Sequence, residues 1–458
     1  MSTIRVGNGA GFWGDNLDAP RRLAEQGQLD YLTLEYLAEL TLSILAHQRT
    51  RDPHAGFVGD FLTVLENLVP SLATQPNLKI VTNAGGMAPQ ECARQAVAIL
   101  SQAGLGSIRV AAVSGDDLLP RIDELLAAGE SFTNLDTGAA FGEIRPKIGS
   151  ANAYLGATGI VDALSQGARI VITGRVADAS LTVGPVVHEF GWALTDWNRL
   201  AAATVAGHLI ECGAQVSGGM FSGWTENLSL DNLGYPIAEI SEDGQIVITK
   251  PADTGGAITT ETVAEQLVYE IGDPAHYLSP DVDADFSQVR LAQTGPNRVE
   301  VTGARGNPAP PRYKVSMAYR DGYMSSGTLV ICGDKATVKA RLCGELILSR
   351  LRAAGVNLAR TQIECLGTGD TLRGVWRQTE DPLEVVLRIS VHDPSRDAVE
   401  RFVREFSPLV GSGPPGVTGY TGPRPKPYPV FAYWPTTAER HRLQPVIEMF
   451  AAENSSAP

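Results

Sequence analysis

Residues 168–191 read ARIVITGRVADASLTVGPVVHEFG, and this stretch contains the transition that decides the fold. The apolar run Ile170–Ile172 predicts a buried strand. The strand ends in a loop that carries Arg175, Asp178 and Ser180, and a helical stretch is predicted after Pro185. A buried strand that ends in a glycine loop and leads into a helix is the repeating unit of a parallel α/β sheet.

The same unit recurs through the N-terminal half of the chain. Further strands are predicted at residues 4–6, 31–35, 78–82 and 107–113. Each ends in glycine or in a polar residue and is followed by a helix, so the predicted fold class is α/β, a mostly parallel sheet with helices on both faces. Ligands of such sheets bind at the carboxyl ends of the strands, where these polar residues should converge.

The character of the sequence changes near residue 235. Short strands, an Asp243-Gly244 hairpin signal and a long helix predicted over 335–354 indicate a second, mixed α+β lobe. The predicted domains are therefore 1–235, an α/β domain with the site at its strand ends, and 236–458, a mixed lobe that closes the cleft.

Composition limits the class of protein. The chain has 458 residues, 43% of them hydrophobic, and a formal net charge of −14, which is typical of a soluble globular protein and argues against nucleic acid or a membrane surface as a partner. No secretory signal or membrane span is visible, and the five cysteines lack a CxxC spacing. We expect a cytoplasmic protein and, from the frequency of oligomers among such proteins, a homo-oligomer.

Arg175 is the first candidate for substrate binding. A guanidinium at a strand end can hold a carboxylate or a phosphate through two parallel hydrogen bonds. Asp178 in the same loop is a candidate for proton transfer, and Ser180 is a further candidate for substrate binding. The alternative is an Arg175–Asp178 ion pair that only closes the loop.

Two glycine turns are candidate binding sites for oxyanions. One contains Asn83, Gly85 and Gly86, and the other contains Gly218 and Gly219. Backbone amides that point out of such turns bind oxyanions well, although many glycine pairs serve only to turn the chain.

Lys250 and Asp253 follow a predicted strand of the second lobe and could close the cleft from the other side. We expect Lys250 to clamp an anion, and the alternative is a solvated surface lysine.

The helix predicted over 197–212 carries the remaining catalytic candidates. His208 and Glu211 are three residues apart, so they share a face with Cys212. A divalent metal could use this spacing, but no second pair completes a ligand set. A histidine satisfied by packing between helix and sheet is the favoured interpretation of His208, and Cys212 is expected to be inert.

The sequence contains no convincing nucleotide-cofactor motif. Gly9, Gly11 and Gly14 fit G-x-G-x-x-G, but bulky residues follow Gly11 where a dinucleotide turn must be tight. No Walker A motif, nucleophile elbow, zinc-protease or kinase signature is present. The other carboxylates considered for acid–base chemistry are Asp15, Glu35, Asp116 and Asp117.

Several long stretches resemble one known family. They include GNGAGFWGD at 7–15, TNAGGMAP at 82–89, SANAYLGATGI at 150–160, VITGRVADASLTVGP at 171–185 and GHLIECGAQVSGG at 207–219, together with the YKVS segment at 313–316. Over nearly its whole length the chain resembles the acyclic terpene utilisation (AtuA-like) family. The resemblance implies a catabolic protein that works beside enzymes of branched, terpene-derived acyl chains, and it brings no established catalytic residues.

The predicted function is therefore an enzyme, a lyase, hydratase or hydrolase, that acts on a small-molecule carboxylate or CoA ester. Arg175 and the glycine amides would hold its oxygens, and Asp178, His208 or Glu211 would move a proton. The two alternatives are a non-catalytic acyl-binding or scaffold protein and a metal-dependent hydrolase or lyase that uses His208 and Glu211.

Overall fold

The computed structural model of the protein describes residues 2–49, 51–52, 54–372, 374–375, 382–419 and 421–452. The chain forms two compact units. One consists of Met1–Ala318 and Tyr433–Pro458, and the other consists of Tyr319–Ala432.

The first unit is built on a ten-stranded sheet whose central strands are parallel. In spatial order these are β1 (Thr3–Asn8), β2 (Tyr31–Leu34), β3 (Lys79–Thr82), β6 (Ile170–Thr173) and β4 (Val110–Ser114). They are short and largely buried, which explains their near-continuous apolar sequences. The predicted α/β class and the parallel core are confirmed.

The outer strands of this sheet are antiparallel, so the prediction of a mostly parallel sheet is only partly confirmed. Beyond β1 lie β7 (Ile237–Ser241), β8 (Ile246–Thr249), β12 (Arg298–Thr302) and β11 (Arg290–Gly295), and beyond β4 lies β18 (Val446–Phe450). The Asp243-Gly244 turn joins β7 to β8, and a connection this short can link only antiparallel strands. The predicted boundary at residue 235 lies just before β7, within the first unit.

Helices cover both faces of the parallel core. On one face α1 (Ala19–Gln26), α3 (Asp60–Thr74) and α4 (Pro89–Gln102) bury alternate strand residues such as Leu32 and Ile80. On the other, α6 (Thr158–Ser165), α7 (Ser180–Phe190) and α8 (Trp197–Glu211) pack side by side. Helix α7 begins at Ser180, earlier than predicted, and Pro185 lies inside it. The other helices of this unit are α2 (Glu39–Arg49), α5 (Ile122–Ala127) and α9 (Thr260–Val268).

A small three-stranded antiparallel sheet packs beside α8. It consists of β9 (Tyr277–Leu278), β10 (Asp283–Asp285) and β13 (Arg305–Asn307). Its importance for the site is that it brings the aromatic rings of Tyr277 and Phe286 against His208 of α8. Strand β5 (Ile148–Ala153) pairs with the N-terminal part of β14 (Arg312–Cys332).

The second unit combines an antiparallel sheet with helices. Strand β16 (Glu384–Asp393) pairs with β15 (Arg360–Leu366) on one side and β14 on the other, and β17 (Tyr428–Glu439) follows β14. The alternating apolar residues of β14 and β16 face α10 (Ala336–Ala353) and α11 (Arg396–Val403), and α12 (Leu409–Ser412) adds Leu409 to the same core. This alternation is typical of a sheet with one buried face.

Candidate functional site

The carboxyl ends of the parallel strands bring five polar residues to one edge of the sheet. Asn8 ends β1, Glu35 follows β2, Asn83 follows β3, Asp116 follows β4, and Arg175 follows β6. All five side chains are buried. The edge therefore combines one cation, two carboxyl groups and two amides in a place where ligands of α/β proteins commonly bind.

Arg175 is almost completely buried, with 1% of its surface exposed. Its Nη1 donates to Asp178 at 2.5 Å and lies 3.8 Å from Glu35, and its guanidinium stacks on the ring of Tyr154 with 4.0 Å to the centroid. Burial alone would lower the pKa of Arg175, but Asp178, Tyr154 and Glu35 raise it well above its usual range, so the group is charged. Its Nε atom is buried and has no hydrogen-bond partner in the part of the chain that the structure describes.

The backbone that presents Arg175 is fixed by Asp116. The Arg175 amide donates to Asp116 at 2.9 Å, and Asn152 donates to the same oxygen at 2.8 Å. A side chain at Gly174 would meet Asp116, because a Cβ there would lie 2.2 Å from the carboxyl oxygen. Burial raises the pKa of Asp116 to about 6 despite these hydrogen bonds. Asp116, one of the acid–base candidates, therefore positions the loop.

Glu35 and Asn83 form a second fixed pair. The Tyr36 amide donates to Asn83 Oδ1 at 2.8 Å, so Asn83 must direct its Nδ2 at Glu35, which it reaches at 2.5 Å. The other oxygen of Glu35 accepts from the Leu37 amide. Burial and the charge of Asp178 raise the pKa of Glu35 well above its ordinary range, against the opposing effect of Arg175. Asn83, predicted to bind substrate, thus orients a carboxyl group that faces the guanidinium.

Three residues beside Arg175 were not predicted from the sequence. The Tyr154 hydroxyl donates to Glu39 at 2.9 Å, and Lys314 donates to the same oxygen at 3.1 Å and lies 4.6 Å from the centre of the Tyr154 ring. Burial opposes ionisation of Glu39, but Lys314, its own backbone and Arg175 outweigh it and lower its pKa to about 2. Lys314 is half exposed, so it is a cation that solvent can reach beside the buried one.

His208 and Glu211 of α8 form a hydrogen-bonded pair. His208 Nε2 lies 3.0 Å from the backbone carbonyl of Gln266, which can only accept, so Nε2 carries a proton and Nδ1 faces Glu211 at 3.1 Å. Burial raises the pKa of Glu211 to about 7, although His208 pulls it down. The second oxygen of Glu211 is buried, and no described residue forms a hydrogen bond with it. Asn8 fixes the end of the helix, because its Nδ2 donates to the carbonyls of Ile210 and Glu211.

Asp178 connects the two groups of residues. Its charge raises the pKa of Glu35 on the arginine side and of Glu211 on the histidine side. It is also the most exposed acid of the three, with 36% of its side chain accessible. The three predicted residues Arg175, Asp178 and Glu211 therefore belong to one polar cluster that solvent reaches at Asp178.

A family model matches almost the entire chain. It is that of the acyclic terpene utilisation family protein AtuA, and the match covers residues 4–449. The chain belongs to this family. Membership in the AtuA family implies a part in acyclic terpene utilisation, and the residues of the cluster lie within the matched range. No curated protein matches the chain.

Tyr154 and Lys314, which were not predicted, lie in stretches that carry the AtuA resemblance. Tyr154 belongs to SANAYLGATGI, and Lys314 belongs to the YKVS segment. Neither has a charge or glycine pattern that marks a site. Their position depends on the pairing of β5 with β14, which sets Tyr154 beside Lys314 through a 2.9 Å backbone hydrogen bond. Family motifs were thus the one signal that could have found them.

Three of the four predicted glycine amides already donate within the protein. The Gly86 amide donates to Asn83, and those of Gly218 and Gly219 donate to Gln215 and Ala214 of the preceding turn. Gly85 is required for close packing, because a Cβ there would lie 2.5 Å from the Thr173 carbonyl oxygen. Gly86 and Gly218 have positive φ angles of 52° and 102°. These glycines shape the two turns on either side of the sheet end.

Ser180, Lys250 and Asp253 also lie in internal networks or on the surface. The Ser180 hydroxyl donates to Asp281 at 2.5 Å. Lys250 is buried and donates to the carbonyl and hydroxyl of Thr254, which closes its own loop. Asp253 is exposed in that loop and has a positive φ of 52°. Lys250 is therefore not the solvated lysine of the alternative interpretation. In the described structure its hydrogen bonds go to Thr254 and not towards Arg175.

Three further observations concern metal binding, the G-x-G-x-x-G stretch and membrane-spanning helices. Across the described parts of the chain, no group of three or more His, Cys, Asp or Glu side chains is arranged to hold a metal ion. In the G-x-G-x-x-G stretch, Asp15 accepts from the Gly11 amide and from Tyr235, and Gly11 packs against Cys212. Among the same described residues, no helix is long and apolar enough to cross a membrane.

Proposed function

We propose that the protein is an enzyme of branched acyl catabolism that acts on a carboxylate or acyl-CoA intermediate by acid–base chemistry at the Arg175–Asp178–Glu211 cluster. Membership in the AtuA family suggests the pathway, and the residues of the cluster suggest the chemistry. The reaction class that fits best is elimination or addition of water at a 3-hydroxyacyl compound.

One observation carries the proposal. Two buried polar atoms of the cluster lack partners among the described residues, and they are complementary: Arg175 Nε is a donor and Glu211 Oε2 is an acceptor. A buried polar group without a partner costs about 1–3 kcal/mol, so such atoms are rare in folded proteins and call for an explanation. A bound substrate that offers an oxygen to Arg175 and a proton to Glu211 would satisfy both.

Glu211 is suited to move the proton. A pKa of about 7 leaves it able both to take up and to release a proton near neutral pH. His208 positions it, since the Gln266 carbonyl fixes the tautomer and directs Nδ1 at the carboxyl group. Asp178, the most accessible acid, is the second group that could exchange protons with solvent.

Arg175 is suited to hold the carbonyl or carboxylate oxygen. It stays charged at any working pH, and its stacking on Tyr154 and its contact with Asp178 fix its orientation. A preorganised cation of this kind stabilises the negative charge that develops on a carbonyl oxygen when the neighbouring carbon loses a proton. Lys314 adds a second, accessible positive charge beside it. The amides of Gly86, Gly218 and Gly219 take no part in this step, because they already donate within the protein.

In the proposed elimination, Glu211 removes a proton from the carbon beside the carbonyl. The electron pair of the broken C–H bond forms the carbon–carbon double bond, and the C–O bond to the 3-hydroxyl breaks. The departing hydroxyl takes up the proton that Glu211 has accepted and leaves as water, which returns Glu211 to its carboxylate form. Hydration is the reverse, with water adding to the double bond.

The test is a panel of branched 3-hydroxyacyl-CoA esters, the matching 2-enoyl-CoA esters and the free acids, incubated with purified protein and followed by mass spectrometry. Gain or loss of one water is expected for at least one pair. Glu211→Gln should lower that turnover by about 10²–10⁴-fold. The matched control is Glu189→Gln, a carboxylate that pairs with Tyr31 and Lys79, the first residues of their strands and thus at the opposite end of the sheet.

Thermal stabilisation by a panel compound without any change in its mass would instead favour the non-catalytic acyl-binding protein. Turnover that survives Glu211→Gln would remove Glu211 from the mechanism. A metal-dependent reaction would appear as loss of turnover after treatment with a chelator and recovery with a divalent metal.

A further inference from the structure

The loop after Gly219 exposes large apolar side chains. Met220 is 89% exposed and Trp224 is 49% exposed. The loop is nevertheless held in place, because the Ser222 amide and hydroxyl both donate to Glu265 of α9, the hydroxyl at 2.6 Å. These side chains are thus presented to solvent by a fixed backbone.

The end of α9 adds two more apolar residues beside this loop, Val268 as the last helical residue and Tyr269 directly after it. Val268 is 67% exposed and Tyr269 is 39% exposed. They follow Glu265 by three and four positions, so they lie on the side of the helix where Ser222 is anchored. We call Met220, Trp224, Val268 and Tyr269 the apolar patch. A contiguous exposed patch of this kind marks an interaction site more often than isolated apolar residues do.

The segment of the chain that carries the patch is strongly acidic. The 90 residues from 200 to 289 contain 14 Asp and Glu but a single Lys and no Arg, so they hold −13 of the formal net charge of −14. That lysine, Lys250, is buried in its own loop. The exposed acids on the loop and on α9 with its following turn are Glu226, Asp231, Glu261, Glu270 and Asp273.

We propose that the apolar patch docks a basic, amphipathic segment of a partner protein. Apolar side chains of the partner would cover Met220, Trp224, Val268 and Tyr269, and its Lys and Arg side chains would meet the acidic rim. The same charges disfavour a second copy of this chain on this face, since an isologous contact would bring the acidic rims together. They also repel nucleic acid and anionic lipid.

The apolar patch shares no residue with the proposed reaction, although Glu270 of its acidic rim is one of the charges that raise the pKa of Glu211. None of its four residues belongs to the Arg175–Asp178–Glu211 cluster, and the docking argument uses only exposure and charge. Loss of docking and loss of turnover are therefore separate results.

The experiment measures binding of a fluorescent amphipathic helical peptide of leucine, tryptophan and lysine to the full chain by anisotropy. A second peptide carries glutamine in place of each lysine. The patch variant is Met220→Ser with Trp224→Ser, which leaves every charge in place. The matched control is Val338→Ser with Leu342→Ser, two exposed apolar residues of α10 in the second unit.

The wild-type chain and the control variant should bind the lysine peptide, the patch variant should bind it about tenfold more weakly or worse, and the glutamine peptide should bind poorly. Equal binding by the patch and control variants would overturn the proposal. Sedimentation velocity supplies a second refutation: a dimer of the wild-type chain that the patch variant dissociates would show that a second copy covers this surface.

Discussion

Replacing Glu211 with glutamine should change how the stability of the protein depends on pH. His208 Nδ1 faces Glu211 Oε1, and Nε2 donates to the Gln266 carbonyl. A glutamine amide at position 211 can donate to the neutral imidazole at Nδ1, so the contact survives without a charge. We therefore expect the variant to fold and to lose the ionisation of this site.

The size of the effect follows from the pKa of Glu211, which burial raises from 4.5 to about 7. Between these values the folded protein keeps a proton that the unfolded chain releases, so wild-type stability falls as pH rises. From pH 5 to pH 8 the loss is about 2.5 kcal/mol. Against the effect of burial, Glu211 also raises the pKa of His208. Because glutamine does not titrate and carries no charge, the variant should gain about this amount or more relative to wild type over the same range.

The assay is urea unfolding of both proteins at pH 5, 6, 7 and 8, with free energies from linear extrapolation. Glu189→Gln is the control. The pKa of Glu189 is lowered from 4.5 chiefly by Lys79 and Tyr31 acting against burial, so its titration lies below this pH range and its difference from wild type should stay constant. A constant difference for Glu211→Gln as well would refute the raised pKa of Glu211 and its assignment to proton transfer.

Three other predictions concern the groups that shape the site. Asp281→Ala leaves the Ala157 amide and the Ser180 hydroxyl without an acceptor, so it should lower the free energy of unfolding in urea by about 3 kcal/mol. Asp281→Asn should lower it by about half as much. Equal losses for the two variants would contradict the assignment of these hydrogen bonds. Gly85→Ala should lower the free energy of unfolding by at least about 2 kcal/mol, because the added Cβ would meet the Thr173 carbonyl oxygen. At Gly59 an added Cβ has no described atom within 4 Å, so Gly59→Ala should stay within about 0.5 kcal/mol of wild type. Lys314→Met should raise the pKa of Glu39 from about 2 in an NMR titration with under about 1 kcal/mol of destabilisation, and an unchanged pKa would exclude their pairing.

The parallel core was predictable because its signal is local. Strands β2, β3 and β6 are short apolar runs that end in polar residues, and the rule that ligands bind at strand ends then selected Asn83, Arg175 and the loop to Asp178. The extent of the sheet was not predictable, because antiparallel strands such as β7 add to it from a part of the chain that composition had assigned to another lobe.

Local sequence patterns could not show which side chains each predicted residue contacts. The loop with Arg175 was recognised, but its stacking on Tyr154 depends on contacts between distant segments. The same holds for Lys250. Its charge suggested an anion clamp, but its ammonium group donates to Thr254 and closes its own loop.

The sequence by itself determined the α/β class, the strand ends that carry polar groups, and the family of the chain. Tertiary structure alone decided which of those groups are charged, buried and unpaired. A pKa or an unsatisfied atom depends on burial and on neighbours far away in the chain. The pKa of Glu211, about 7, reflects burial, its hydrogen bond with His208 and the charge of Asp178. Periodicity placed Glu211 and His208 on one face of a helix, and packing of that helix against the sheet and β9 turned them into a titrating pair.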